Sequence, residues 1–196
     1  MSGVHAAGDP VTRRAARLAG LFFGDLSDLG SIAPLSPEAV PEPSRRLLDH
    51  RSHMTVTMER HVGGPVSVDV LREVRLTGER NDYAREILLR DPSGRVVQYG
   101  LVRIDLGALP EAVRGRIEAG AAPLGRILIE AGTLMEIHDV GLFAIEPAQR
   151  LRSVAGIEPA HRQYGRVAAI ALSSPSPDAD EASGTTIVEL LEIPIL

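Results

Sequence analysis

The stretch YAREILL, Tyr83 to Leu89, decides how the middle of the chain is read. It reads as a β-strand, and successive side chains of a strand point to opposite faces. Tyr83, Arg85, Ile87 and Leu89 therefore share one face, which is apolar except for Arg85. A guanidinium among aliphatic side chains is costly unless something receives its charge. The stretch thus raises a question of fold and a question of function together.

Working outward, DPSG (91–94) is a turn with proline at its second position, and residues 96–104 form the next strand. Upstream, residues 66–76 alternate, with Val66, Val68, Val70, Val74 and Leu76 on one face and Arg72 on that same face. Gly63-Gly64-Pro65 is a turn signal, and residues 54–61 before it are expected to form a further strand. Consecutive strands joined by short turns, here with a polar loop at 78–82, imply an antiparallel meander. EAVRGRIEAG (111–120) and PLGRILIEAG (123–132) predict two short helices, each closed by glycine. Residues 134–143, 164–172 and 185–193 predict strands, with a helical turn over 146–154 and a polar, acidic loop over 173–184.

Towards the N-terminus, residues 1 to about 10 are expected to be disordered. Residues 11–23 predict a helix, SIAPLSPEAVPEP (31–43) with its four prolines an irregular connection, and Ser44 the cap of a short helix. The fold class expected is α+β, with a single antiparallel sheet of about six strands in residues 44–196. Residues 1–43 are expected to be an N-terminal extension with one helix and a proline-rich connection.

A chain of 196 residues fits one domain of this kind. Its net charge of −5 gives no general attraction to nucleic acid or to an anionic membrane. The absence of cysteine excludes disulfides, thiol catalysis and thiolate-bound metal, and a cytoplasmic location is expected. Arg13-Arg14 precede an apolar run, but Arg17 interrupts it, Asp25 ends it and no clear cleavage site follows. No apolar run approaches the roughly 20 residues of a membrane span. His50, His53 and His61 cluster without metal-ligand spacing, and no phosphate loop or nucleophile elbow occurs, so no metal or cofactor is expected.

Three charges fall on apolar strand faces: Arg85, Arg72 and Glu189, the last among Thr185, Ile187, Leu191 and Ile193. Two readings fit. One is a buried arginine–glutamate pair. The other is a pocket on the sheet, where an arginine fork holds a carboxylate and a glutamate meets a hydroxyl or a proton in transit.

Several stretches in order resemble the chorismate pyruvate-lyase family. They are LLDHRSHMT (47–55), VSVDVLREV (66–74), YAREILL (83–89), APLGRIL (122–128), YGR (164–166) and IVELLEIP (187–194). In the first of these, His53 stands where the family usually has serine. The resemblance implies one antiparallel sheet with flanking helices, and helical flaps over a buried ligand site. It implies an enzyme, a carbon–oxygen lyase converting chorismate to 4-hydroxybenzoate and pyruvate without metal or redox cofactor, in ubiquinone or aromatic metabolite biosynthesis. By the same resemblance Arg85 would bind the substrate carboxylate, Glu189 would bind the ring hydroxyl, Met54 would line the pocket and the backbone at Leu124 would contact ligand. Arg72, from its face, would meet the second carboxylate. Ligand-sensing domains of transcription regulators share this fold, so the alternative is a non-catalytic module binding a small aromatic carboxylate. Either way the partner expected is a small molecule, with no nucleic acid or membrane, in a monomer or small homo-oligomer.

Overall fold

The computed structural model describes residues 8–76, 81–132, 135–159, 161–172 and 185–196. The acidic loop at 173–184, the first seven residues and most of the polar loop before Asp82 lie outside them.

Apolar alternation over the central third of the chain produces the expected meander: β2 (Ser67–Arg75), β3 (Asp82–Arg90) and β4 (Val96–Asp105) pair antiparallel in sequence order. The chain then builds the helices α4 (Glu111–Glu118) and α5 (Leu124–Glu130), each preceded by proline, whose missing N–H costs nothing there. It returns as β5 (Met135–Pro147), α6 (Gln149–Ala155), β6 (Gln163–Leu172) and β7 (Thr186–Pro194). β7 closes against β4 and, with β1 (Gly30–Leu35) at the other end, the sheet has seven strands, all antiparallel, in the order β1-β5-β6-β7-β4-β3-β2.

The seventh strand, β1 (Gly30–Leu35), comes from the segment expected to be irregular, and α1 (Pro10–Ala19) packs on the same sheet. Prolines obscured β1, yet Pro34 is tolerated because β1 is an edge strand paired only with β5. Residues 8–43 thus contribute to the one sheet.

Residues 54–61, expected as a strand, are helical instead: α3 spans Met54–Val62, following α2 (Ser44–Leu48). Met54 and Met58, four apart, are both buried, which is helical spacing, and Gly63 ends the helix at φ 72°. The β-branched Thr55, Val56 and Thr57 suggested a strand, but burial of this one face outweighs their propensity.

Both faces of the sheet are covered. One carries Ala84, Leu88, Tyr99, Leu101, Val167 and Leu191 under α1 and α6. The other carries Tyr83, Ile87, Val102, Ile104 and Leu190 under α3, α4 and α5. Where α5 crosses α3, a Cβ on Gly125 would lie 2.7 Å from Thr55 Oγ1, so glycine sets how closely the two helices approach. The register of β2 shifts between Val70, opposite Ile87, and Arg72, opposite Glu86. Leu71 is the extra residue, a bulge that reverses which face the rest of β2 presents.

Candidate functional site

The site lies on the face under α3, α4 and α5. Arg85 is there, fully buried, opposite Val102 of β4. Its Nη1 donates a long hydrogen bond, 3.4 Å, to the carbonyl of Ile117 at the end of α4. Its Nε and Nη2 have no partner among the described residues. Burial pulls the guanidinium below its ordinary pKa, against the opposing influence of Tyr83 and Glu73. Glu73, directly across on β2, is engaged by the Tyr83 hydroxyl at 2.7 Å. Burial and that bond push the Tyr83 phenol up to about 12.

Along the sheet from Arg85 runs a small cleft of about 30 Å³. Ile87, Val102 and Leu190 form its floor with Gln98, Arg166 and Glu192. His53 to Thr55 of α3 and Pro123 to Gly125 of α5 form its roof. Met54 and Leu124 are both buried in that roof.

The polar end of the cleft is a buried ion pair. Arg166 donates to Glu192 Oε2 at 2.7 Å and to the carbonyls of His50 and Ser52 at 2.9 and 3.3 Å. The fork is thereby satisfied, as a buried charge requires. These bonds tie the segment leading into α3 to the sheet. His50 and His53 beside it are held below the usual imidazole pKa, first by burial.

Glu189 is not brought to Arg85. It pairs with Arg103 in the β4–β7 register, whereas Arg85 pairs with Val102, so the two lie on opposite faces. Glu189 accepts from Arg17 of α1, and from Arg103 at 3.3 Å. Arg72 is also on the far face, carried there by the Leu71 bulge, and donates to Glu86 at 2.6 Å and to the Phe22 carbonyl at 2.7 Å. The cleft's acid is instead Glu192, three residues beyond Glu189 and so on the other face of the same strand. Arg166 stood in the YGR motif without an assigned role, and Gln98 gave no signal beyond one polar residue in an apolar strand.

Among the described residues no group of three acidic or imidazole side chains could hold a metal ion. No described helix is long and apolar enough to cross a membrane.

No protein-family model and no curated protein matches the chain. Solved structures do. PhnF from Mycobacterium smegmatis superposes with a TM-score of 0.55 at 11% identity, covering 73% of this chain and 63% of that one. The effector domain of PhnF gives 0.54 at 11% identity, covering 73% of this chain and 88% of that domain. A GntR-family transcriptional regulator from Enterococcus faecalis V583 gives 0.48 at 8% identity, covering 65% and 92%. The chain spans less than two thirds of the full PhnF structure and most of its effector domain. The expectation of a chorismate lyase is overturned here. The matched PhnF structure is an effector domain rather than an enzyme, and Glu189, expected to share the ligand pocket with Arg85, lies on the opposite face of the sheet. The fold is α+β, one antiparallel sheet with flanking helices, and it matches that of the PhnF effector domain.

Proposed function

We propose that this chain is a non-catalytic binding module for a small organic acid, aromatic or aliphatic. The ligand lies between the sheet and the α3–α5 roof, with its anionic group on Arg85. The observation that carries the reading is Arg85 itself: wholly buried, next to cleft residues Ile87 and Val102, with two nitrogens unpartnered among the described residues. A carboxylate would accept from both in parallel, the geometry that suits a guanidinium best. Entry of the acid replaces the long bond to the Ile117 carbonyl, so α4 responds directly to occupancy. Met54 and Leu124 supply apolar contact from above. Similarity in fold to the PhnF effector domain supports a sensing role, with the output delivered through a DNA-binding unit outside this domain.

The test is calorimetric titration of the purified chain with benzoate, 4-hydroxybenzoate and short aliphatic acids, repeated on Arg85→Lys. Lysine cannot reproduce the fork, so binding is expected to weaken tenfold or more. Wild-type affinity in Arg85→Lys would sink the assignment.

A further inference from the structure

Gln98 is 2% exposed and lines the cleft, yet its side-chain Oε1 has no hydrogen-bond partner among the described residues. A buried acceptor left unmade is destabilising, because it gives up water for nothing. The register shows why the protein itself does not satisfy it. Gln98 stands between Leu89 of β3 and Pro194 of β7, and neither side chain carries a polar group. Two residues along the same face is Gly100, between Ile87 and Glu192; the Ile87 side chain fills the space a Cβ there would take, so this neighbour offers Oε1 no polar group either. Arg166, in the same cleft, is already committed to Glu192 and to the carbonyls of His50 and Ser52.

Resting on the reading of the cleft as an organic-acid site, we propose that Gln98 is its specificity-determining residue. The ligand carries, besides its anionic group, a neutral hydrogen-bond donor, an O–H or N–H, which the Gln98 Oε1 accepts. The ligand class is thereby narrowed to hydroxylated or amide-bearing acids. An acid of the same shape with a methyl group in place of the donor leaves Oε1 unpaired in the complex and is rejected.

Two measurements test this. The first needs no ligand. Gln98→Leu removes an unsatisfied acceptor while keeping most of the side-chain volume, so the free protein is expected to melt about 2–4 °C higher. A lower melting temperature would show that Gln98 has a structural partner and would overturn the proposal. The second compares 4-hydroxybenzoate with 4-methylbenzoate by calorimetry, on wild type and Gln98→Leu. The wild type is expected to prefer the hydroxy acid by about tenfold or more, the equivalent of one well-made hydrogen bond, and Gln98→Leu to lose or reverse the preference. Binding of both acids with equal affinity overturns the role of Gln98 and leaves the organic-acid reading standing. Binding of neither acid, nor of any other acid in the titration series, overturns both.

Discussion

Arg85 and Glu86 are consecutive residues of one strand, both wholly buried, and they sit in opposite electrostatic conditions on opposite faces of the sheet. Glu86 accepts from Arg72 at 2.6 Å, from Arg150 at 2.9 Å and from the Tyr99 hydroxyl at 2.9 Å. Arg85 has one long bond to a carbonyl and, among the described residues, no ion pair, since Glu73 across the strand is engaged by Tyr83. The acid is built into the scaffold, joining β2, β4 and α6. The base is left for something else.

Their substitutions should therefore differ in sign. Glu86→Ala strands two guanidinium groups and a buried phenol, and is expected to cost about 3–5 kcal/mol of stability. Arg85→Met removes a buried charge that makes no ion pair among the described residues and fills similar space, so stability is expected to be unchanged or higher. Urea unfolding of the two variants checks both. Equal destabilisation would mean that Arg85 is a scaffold residue too.

The roof of the cleft depends on close contact between α3 and α5. Gly125→Ala places a methyl group against Thr55 Oγ1 and 3.3 Å from His53 Cβ. The expected loss is about 1–3 kcal/mol, typical of overpacking. Thr55→Ala in the same chain should recover most of it. A double-mutant cycle in denaturant gives the coupling, and strict additivity would refute the contact.

His50 and His53 make the domain acid-sensitive. Burial lowers both imidazoles below 6.5, and the Arg166 charge acts in the same direction. The unfolded chain then takes up protons at higher pH than the folded one. Stability from the neutral rings is complete above about pH 7 and is lost as pH falls through 6.5 towards the depressed folded values. The urea midpoint is expected to fall between pH 7.5 and pH 5.5, and to fall less in His50→Asn/His53→Gln.

Tyr83, pushed up to about 12, should not ionise below about pH 11 while the protein is folded. Ultraviolet titration of Tyr83→Phe from pH 9 to pH 11 is expected to match wild type. A missing phenolate step in the variant would show that the Tyr83–Glu73 bond is not formed.

Much of this fold was legible in alternation. β3, β4, β6 and β7 follow it closely, as does β2 up to its bulge, and α4 and α5 announce themselves by proline before and glycine after. Arg85 was legible for the same reason, since its strand has no irregularity before it. What failed was relative facing. IVELLEIP offers two glutamates three residues apart, which must lie on opposite faces, and nothing within the strand says which face meets that of Arg85. Only the pairing through Val102 and Leu190 decides it, and it selects Glu192. Arg72 failed through the bulge, and α3 because three β-branched residues hid a helical spacing. Gln98 escaped notice because an unmade hydrogen bond leaves no mark in a sequence.

The single extra residue in β2 works on the sheet as a frameshift works on a message. Every side chain after Leu71 is delivered to the side opposite the one its position would otherwise select. Flattening the bulge, with Leu71 kept and paired opposite Glu86, would carry the Arg72 guanidinium through the sheet to face Arg85, and would take Glu73 away to the other side. A cleft offering one unpaired cation would then offer two, with no lining residue altered. The same residues, paired one step differently, would suit a doubly charged ligand in place of a singly charged one.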